Sequence, residues 1–403
     1  MKLKTHDKIQ LTAEELTMPL PEALQLPWIR AGVARLRTTR LGYELEIGPY
    51  AGTLALGDVL IEVAELVPGT VAACLHLSAT GRRFGEQWSQ RARTVSPSAA
   101  VARAYTDSLT TALGQGVSKE YVDICAVTSR PRGKVLVGAT VTGPWARGRT
   151  REVVAKWRPL TENTPVNRVL LAAGVRAQHL FGDEQSTSLR QLRECLIALS
   201  GAALQNNPAI PAEQTNADPN ISRTLALARS LLEGVPVVPE GNDEDGGAFS
   251  AWINVERVFE EAILSICKRL HPGSTYVGSS LGVELFSSRA GEEPHRSKRA
   301  DPDIVLRLPE LTIVIDAKYR RSGENPSEEE LYQLIAHAGA FDAQAAALIA
   351  PAMTGCPGIV RLGRVQSGCT IDIIAVDPTE TKRTEKMIRD WVSAQELSAS
   401  RER

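Results

Sequence analysis

The chain contains 403 residues, of which 43% are hydrophobic and 23% are charged, a composition typical of folded globular proteins rather than disordered chains. Domains usually span roughly 100 to 200 residues, so this length predicts two or three of them. The 46 Lys and Arg residues nearly balance the 47 Asp and Glu residues. Any affinity for nucleic acid must therefore come from local basic patches.

The sequence shows no signal for a membrane or an oxidising compartment. No apolar run reaches the ~20 residues that a membrane-spanning helix needs, and the opening MKLKTHDK lacks the apolar centre of a secretion signal. Six cysteines are scattered without a CxxC pair, which favours reduced thiols over a disulfide framework or a structural zinc site. We therefore expect a cytoplasmic protein.

The first predicted domain, residues 1–164, is β-rich. Between Tyr43 and Val63 apolar residues alternate with polar or small ones and glycines recur, which is typical of short, half-buried strands. A helical spacing follows over 99–113, and the pattern predicts strands over 135–141 and 153–157.

The second predicted segment, residues 165–247, is a helical connector followed by a linker. Apolar residues recur every three or four positions over 165–204, as in amphipathic helices. The acidic, Gly-rich run 240–247 is rich in turn formers, so we place a domain boundary at its end.

The third predicted domain, residues 248–403, is a compact α/β unit. Its pattern predicts helices over 252–270 and 328–341, a closing helix, and strands over 280–286, 304–308, 311–318, 346–350, 359–362 and 370–376. Pro309 and Glu310 alone separate the strands 304–308 and 311–318. This connection is too short for a crossover helix, so the two strands must form an antiparallel hairpin.

Carboxylates and a lysine flank this hairpin. Pro302 and Asp303 precede its first strand, and Asp316, Ala317 and Lys318 close its second. Residues two apart on a strand share a face, so Asp316 and Lys318 project together, and the hairpin can bring Asp303 beside them. Two carboxylates suit Mg²⁺, which keeps several waters that a phosphate can replace. A lysine there can orient or deprotonate an attacking water and offset charge growing on the phosphorus oxygens, although an isolated D-x-K is also a common polar strand end.

The combination resembles the PD-(D/E)xK nuclease pattern, which implies that Asp303, Asp316 and Lys318 are catalytic. In that pattern an acidic residue on the preceding helix completes the site. Glu260 is the favoured candidate, and Glu256, Glu261 and Glu284 are alternatives. The resemblance implies that Glu260, Asp303 and Asp316 bind Mg²⁺, with Mn²⁺ as a substitute, and leaves open whether one or two ions bind.

The predicted helix after the hairpin carries two candidate DNA-binding residues. Gln333 and His337 are four apart and share a helix face, so both can reach a DNA phosphate or a base edge. Gln333 resembles the QxxxY helix of such nucleases, with His337 in the place of the tyrosine. A histidine on the helix surface without a functional role is an equal alternative for His337.

Two basic patches stand out against the balanced overall charge. Residues 128–158 include eight basic residues and a single acidic residue, Glu152. Trp145 and Trp157 lie in the same stretch. This patch can follow a phosphate backbone, supply a charge stabiliser to a partner's nucleotide site, or form a solvated face. The second patch, 295–299, precedes Asp301. We assign to DNA phosphates the following residues: Arg296, Lys298, Arg299 and Arg320.

In order and spacing, these motifs resemble the McrC family, the nuclease subunit of McrBC-type modification-dependent restriction systems. The motifs that carry the resemblance are 50–54, 58–63, 131–135, 160–168, 259–260, 302–303, 316–320 and 331–333. The resemblance implies a β-rich domain that docks on a hexameric McrB-like AAA+ GTPase, and a C-terminal PD-(D/E)xK domain that cuts double-stranded DNA in phage defence. It leaves recognition of modified cytosine to the motor subunit.

The sequence is consistent with a separate motor subunit, since it contains no G-x-x-x-x-G-K-[ST] phosphate loop. Because the family stimulates its GTPase through an N-terminal segment, Arg147, Arg149 and Arg151 are our candidates for that role. Two other interpretations remain open: a non-catalytic adaptor of a motor NTPase, and a stand-alone DNA nuclease.

Overall fold

The structure is a computed structural model that describes residues 2–12, 15–16, 18–56, 59–80, 97–181, 187–205, 208–209, 218–234, 238–239, 249–285, 299–320, 325–352 and 356–401. The predicted linker 240–247 lies outside the described residues. The chain divides into two compact units, one formed by Met1–Ala104 with Glu233–Arg403 and the other by Tyr105–Leu232. This grouping differs from the three consecutive segments 1–164, 165–247 and 248–403 that the sequence suggested. Within the described residues, no helix has both the length and the apolar character to cross a membrane.

The N-terminal part of the first unit is mostly β, as predicted. Its elements are β1 (Lys2–Lys4), β2 (Lys8–Leu11), α1 (Leu20–Ala23), α2 (Pro27–Arg30), β3 (Ala34–Thr39), β4 (Gly42–Ile47), β5 (Tyr50–Leu56), β6 (Val59–Ala64) and α3 (Thr70–Thr80). Strands β2, β4 and β3 form an antiparallel sheet. Strand β1 runs parallel to β6, which pairs antiparallel with β5. The alternating strands bury Leu45, Leu54 and Ile61 around Trp28.

The second unit combines helices with small sheets. The elements from residue 97 to residue 234 are α4 (Pro97–Leu113), β7 (Glu120–Tyr121), β8 (Ile124–Thr128), β9 (Lys134–Val135), α5 (Val137–Thr142), β10 (Val153–Trp157), β11 (Leu160–Thr161), α6 (Pro165–Phe181), α7 (Thr187–Ala198) and α8 (Pro219–Gly234). The helices predicted over 99–113 and 165–204 and the strand over 153–157 are confirmed.

The prediction of a strand over 135–141 is wrong, because most of these residues form helix α5. The Thr140 hydroxyl donates to the Leu136 carbonyl and accepts from the Val154 amide, each at 2.9 Å. These bonds fasten the helical turn to β10. They override the preference of β-branched residues for strands, which depends on context.

The C-terminal part of the first unit contains a mixed sheet flanked by helices. Its elements are β12 (Val238–Pro239), β13 (Phe249–Asn254), α9 (Val255–Leu270), β14 (Thr275–Tyr276), α10 (Gly278–Leu281), β15 (Ile304–Leu308), β16 (Leu311–Ala317), α11 (Glu328–Ala340), β17 (Ala345–Pro351), β18 (Gly358–Arg364), β19 (Thr370–Val376) and α12 (Thr381–Arg401). The strand order is β14-β15-β16-β17-β19-β18. Strands β15 and β16 form the predicted antiparallel hairpin, and β16, β17 and β19 are parallel.

Strand β13 explains why the first unit is discontinuous in sequence. It pairs antiparallel with β5, and Trp252 is buried in the same core as Trp28. The helix predicted from residue 252 therefore begins at Val255, where the Asn254 side chain caps it by accepting from the Arg257 amide at 3.0 Å. The strand predicted over 280–286 is also wrong. The described residues there form α10, a turn at Gly282 with φ 62°, and one bridge from Glu284 to Arg299.

Candidate active site

The hairpin brings the two predicted aspartates together. Ile304 pairs with Ile315, so the residues that follow outward in this register are Asp303 and Asp316. The Asp303 amide donates to Asp316 Oδ1 at 3.3 Å, and the Ala317 amide donates to Asp303 Oδ2 at 2.8 Å. Asp316 is only 2% exposed, and its Oδ2 atom is buried without a hydrogen bond. The site therefore holds a desolvated carboxylate oxygen, which is costly unless a cation or donor faces it.

Lys318 follows directly on the same edge of the sheet. Its amide donates to the Ile349 carbonyl on β17 at 2.8 Å, which fixes its backbone. Burial lowers the pKa of the Lys318 amine, but the negative charges of Asp303 and Asp316 outweigh that effect and raise the pKa overall. Lys318 is therefore a stable cation at neutral pH.

Helix α9 contributes further carboxylates. Its apolar face, which includes Phe259 and Ile263, is buried and leaves Glu256 and Glu260 beside the hairpin end. Burial, and then the charges of Asp303 and Glu256, raise the pKa of Glu260 to about 8. Burial, and then Asp316, raise the pKa of Asp303 to about 6. We call Glu256, Glu260, Asp303, Asp316 and Lys318 the carboxylate–lysine cluster.

Among the alternatives to Glu260, only Glu256 joins this cluster. It lies one helical turn before Glu260 and acts electrostatically on Glu260, Asp303 and Lys318. Glu261 pairs instead with Arg257 at 3.2 Å on the exposed side of the helix, and Glu284 is exposed. The signal for Glu256 was its spacing of four residues from Glu260.

The structure corrects the expected position of His337. It is 5% exposed, and its Nδ1 atom lies 3.5 Å from Asp316 Oδ2, so it faces the cluster rather than solvent. His337 lies on the buried side of α11, together with Glu330, Leu334 and Ala338. Gln333 is exposed, as DNA contact requires. The two residues expected to act together on DNA therefore have opposite surroundings.

The basic residues assigned to DNA also differ in their surroundings. Arg320 forms an ion pair with Glu330 at 2.7 Å, and Glu330 also forms the capping box of α11 with Ser327. The Arg320 guanidinium therefore helps to fix this helix. Arg299 is exposed, whereas Arg296 and Lys298 lie outside the described residues.

The donor set of the cluster fits a divalent cation bound by two carboxylates. Across the described ranges, no three His, Cys, Asp or Glu side chains are close enough to hold one ion as they stand. Asp303 and Asp316 are nevertheless adjacent, and Mg²⁺ commonly takes one or two carboxylates and completes its shell with water and substrate phosphate. The feature that fits this ion best is the Oδ2 atom of Asp316, which is buried and makes no hydrogen bond, with His337 Nδ1 3.5 Å away. Glu260 as a third ligand stays a prediction.

Gly278 is a residue of this region that the sequence analysis missed. Its amide donates to the Pro302 carbonyl at 3.0 Å, and a Cβ atom there would lie 2.2 Å from that oxygen. The absence of a side chain thus allows the peptide before Asp303 to approach closely. A single glycine outside a turn motif gives no sequence signal for such an approach.

The predicted GTPase-stimulating arginines lie in an exposed turn of the second unit, residues 145–151, which we call the arginine turn. Arg147 ends a 3₁₀ helix that starts at Trp145. Arg149 lies 3.5 Å from Glu152, and Arg151 is exposed. Trp145 is 45% exposed, so the turn presents both positive charge and aromatic surface to solvent.

The fold and the site define a mixed α/β protein with several sheets and a partly buried carboxylate–lysine cluster at a hairpin end. A family model described as the McrBC 5-methylcytosine restriction system component matches residues 79–351. The chain belongs to this family, which confirms the resemblance seen in the sequence. The matched range includes the whole carboxylate–lysine cluster and the arginine turn.

Two solved structures resemble the chain. The first is the refined half-complex from a tetradecameric assembly of Thermococcus gammatolerans McrB AAA+ hexamers with bound McrC. It matches with 17% identity and a TM-score of 0.52, covering 97% of this chain and 99% of that chain. The second is the cryo-EM structure of the Thermococcus gammatolerans McrBC complex, with 15% identity and a TM-score of 0.39, covering 67% and 87%. At this identity the first likeness shows the fold alone. No curated protein matches the sequence.

Proposed function

We propose that the chain is the Mg²⁺-dependent endonuclease subunit of a McrBC-type restriction system. It would cut double-stranded DNA of phages in the cytoplasm when an AAA+ GTPase partner activates it. The observation that carries the proposal is the convergence of Asp303, Asp316 and Lys318 at the end of one hairpin, where Asp316 keeps a buried, unsatisfied oxygen. We assign the domain that contains them to the PD-(D/E)xK type.

Four residues of the cluster have parts in the proposed phosphodiester hydrolysis. Asp303 and Asp316 would hold the metal ion, which when bound acidifies water and draws charge from the phosphoryl oxygens. Lys318 has a raised pKa and remains protonated, so it acts as a hydrogen-bond donor and cation that orients water and offsets growing negative charge, not as a base. Glu260, with a pKa of about 8, exchanges a proton near neutral pH.

A separate motor partner accounts for the second unit. Besides the arginine turn, the second unit has exposed apolar residues, including Tyr121, Val137 and Leu160. Exposed apolar groups and arginines on one unit are typical of protein interfaces. One of the similar structures is an assembly of McrB AAA+ hexamers with bound McrC. We therefore propose a McrB-like GTPase hexamer as the partner, with recognition of modified cytosine residing there.

The test is cleavage of methylated and unmethylated plasmid with Mg²⁺, with and without the co-encoded NTPase and GTP. The variant Asp316→Asn removes the charge of the buried carboxylate. Its matched control is Asp301→Asn, because Asp301 is an exposed aspartate that lies just before β15, the other strand of the same hairpin. We expect cleavage from the wild type and the control only when the partner and GTP are present, and none from Asp316→Asn.

Three other outcomes would decide against parts of the proposal. Full cleavage by Asp316→Asn would remove the cluster from catalysis. Strong cutting by the isolated wild-type chain would make it a stand-alone nuclease. GTP hydrolysis that rises on addition of the chain, without any DNA cutting, would make it an adaptor of the motor.

A further inference from the structure

The residue that follows Lys318 is held by the N-terminal part of the chain. Tyr319 is fully buried. Its carbonyl oxygen lies 2.9 Å from Nε2 of His6, 313 residues earlier in the sequence. A carbonyl only accepts hydrogen bonds, so His6 must carry its proton on Nε2 and donate it. The first residues of the chain therefore contact the main chain of the site.

His6 is itself fixed in a tight turn between β1 and β2. It has a positive φ of 64°, which is unfavourable for a residue other than glycine. Neighbouring bonds hold the turn in place. The His6 amide donates to the Gly48 carbonyl at 3.2 Å, and the Lys4 amide donates to Asp7 Oδ2 at 2.7 Å. The imidazole is therefore presented by a rigid support.

The other end of Tyr319 is held by the loop between β6 and α3. The Val67 amide donates to the Tyr319 hydroxyl at 3.1 Å, and that hydroxyl donates to Thr70 Oγ1 at 3.2 Å. Glu65 shapes this loop, since its buried carboxyl group accepts from the amides of Gly69 and Val71 at 2.6 and 2.5 Å. Tyr319 is thus bonded at both its carbonyl and its hydroxyl.

The side chain also reaches the helix of Glu260. The Tyr319 ring lies 5.8 Å from the ring of Phe259, the residue before Glu260. Lys318 stands between two fixed points, the Ile349 carbonyl that accepts its amide and the clamped residue Tyr319. Small displacements of a catalytic group have large effects on rate, so such anchors matter for chemistry and not only for packing.

We propose that His6 and Tyr319 are positioning residues that fix Lys318, so that the N-terminal segment 2–71 is an integral part of the hydrolytic site. The inference rests on the proposed nuclease function. It assigns to this segment a role in DNA cleavage that is separate from partner docking.

Two substitutions at one position isolate the hydrogen bond. His6→Asn tolerates the positive φ, but its shorter side chain does not reach the Tyr319 carbonyl. His6→Gln places its amide nitrogen as many bonds from the backbone as Nε2 of His6 and can donate in its place. Gln10→Ala, on the neighbouring strand β2, is an exposed control. Tyr319→Phe keeps the ring contact and removes only the hydroxyl bonds.

The full chain is assayed with the partner NTPase, GTP and Mg²⁺. We expect His6→Asn and Tyr319→Phe to lower kcat for DNA cleavage by about tenfold with little change in KM, as misplacement of a catalytic group predicts. Stimulation of the partner's GTPase should stay at the wild-type level. His6→Gln and Gln10→Ala should cut at near wild-type rates.

A second readout needs no activity. Hydrogen–deuterium exchange in a peptide covering 311–320, measured on the chain alone, should be faster in His6→Asn and should return towards the wild-type rate in His6→Gln. If the wild type cuts no DNA, the nuclease proposal fails and this exchange comparison alone decides whether His6 fixes the strand end. Equal exchange in all variants, a His6→Asn variant that cuts like the wild type, or a His6→Gln variant as impaired as His6→Asn would each overturn the proposal.

Discussion

The carboxylate–lysine cluster and the arginine turn both concentrate charge, but they do so in opposite environments. In the cluster, burial and mutual repulsion raise the pKa of Glu260 to about 8 and that of Asp303 to about 6. In the arginine turn, Arg147, Arg149 and Arg151 are exposed to solvent. The energy of a buried charge depends strongly on each neighbouring group, so a single substitution there has a large effect. Exposed charges are screened by salt, and several of them act together. The comparison assigns chemistry to the cluster and association to the turn.

After the complete loss of cleavage expected for Asp316→Asn, the largest effect comes from removing the cation of the cluster. Lys318→Met keeps the length and the apolar stem of the side chain but removes its charge. We expect a loss of DNA cleavage of about 10²–10³-fold, the range found when one preorganised donor is removed from an active site. Partner GTPase stimulation, measured in parallel, should be unchanged. Equal loss of both activities would show that the variant is misfolded or does not dock.

The pH dependence of metal binding should distinguish the cluster sharply from the exposed turn. Asp303 and Glu260 hold protons below about pH 6 and about pH 8 respectively, and a cation must displace them. The affinity for Mn²⁺, measured by calorimetry, should therefore increase with pH by up to about tenfold per pH unit for each displaced proton.

The same raised pKa values determine whether the metal-free chain becomes more or less stable as the pH rises. A carboxyl group whose pKa is higher in the folded state favours folding while it is protonated, and this contribution is lost as pH rises from the unfolded value of 4.5 towards about 8 for Glu260. The melting temperature of the metal-free chain should fall over this range. Adding Mn²⁺ should counter the fall. A pH-independent affinity and melting temperature would contradict the assigned burial of these carboxyl groups.

A steric change next to Asp303 should have an intermediate effect. Gly278→Ala places a Cβ atom against the Pro302 carbonyl and should cost about 1–3 kcal/mol of unfolding free energy, as overpacking usually does. Cleavage should fall because the shifted peptide carries Asp303. Gly358→Ala is the matched control, since nothing lies within 4 Å of its added Cβ. Thermal unfolding and cleavage assays on both variants test this; unchanged behaviour of Gly278→Ala would mean that Pro302 relaxes freely.

The arginine turn should show the smallest effect of single substitutions. If its charges act collectively, Arg147→Ala, Arg149→Ala and Arg151→Ala should each reduce GTPase stimulation by less than about tenfold, and less still at high salt. Substitution by lysine at the same positions should preserve stimulation of the partner's GTPase. A salt-independent loss above about 10³-fold from one arginine alone, not rescued by lysine, would instead identify a residue that enters the partner's nucleotide site.

The sequence predicted contacts between residues that are close together along the chain, and it did not predict contacts between residues that are far apart along the chain. The hairpin over 304–317 was predicted because Pro309 and Glu310 leave no other connection. Trp252 was assigned to a helix because its spacing matches the apolar face of α9, whereas β13 pairs with β5 almost 200 residues earlier. Periodicity indicates which side of an element is apolar. It does not indicate what covers that side.

His337 shows the same limit within a single helix. Its spacing from Gln333 predicted a shared surface, but α11 packs on β16 and β17, and His337 lies among the buried residues of this helix. Side chains four residues apart on a helix are offset by about 40°, so at the border of a buried face one can be buried and the other exposed. Only the packing of the helix on β16 and β17 decides the boundary.

The sequence by itself determined the local chemistry of this protein: two aspartates and a lysine within 16 residues, carried on a hairpin whose short turn forces them together. The tertiary structure decided which distant groups complete the site. His6, Thr70 and Glu256 lie between about 60 and 310 residues from Lys318 in sequence and reach its surroundings only through sheet pairing and helix packing. The physical reason is that a turn constrains neighbours along the chain, whereas contacts between distant segments arise when separate apolar faces are buried together.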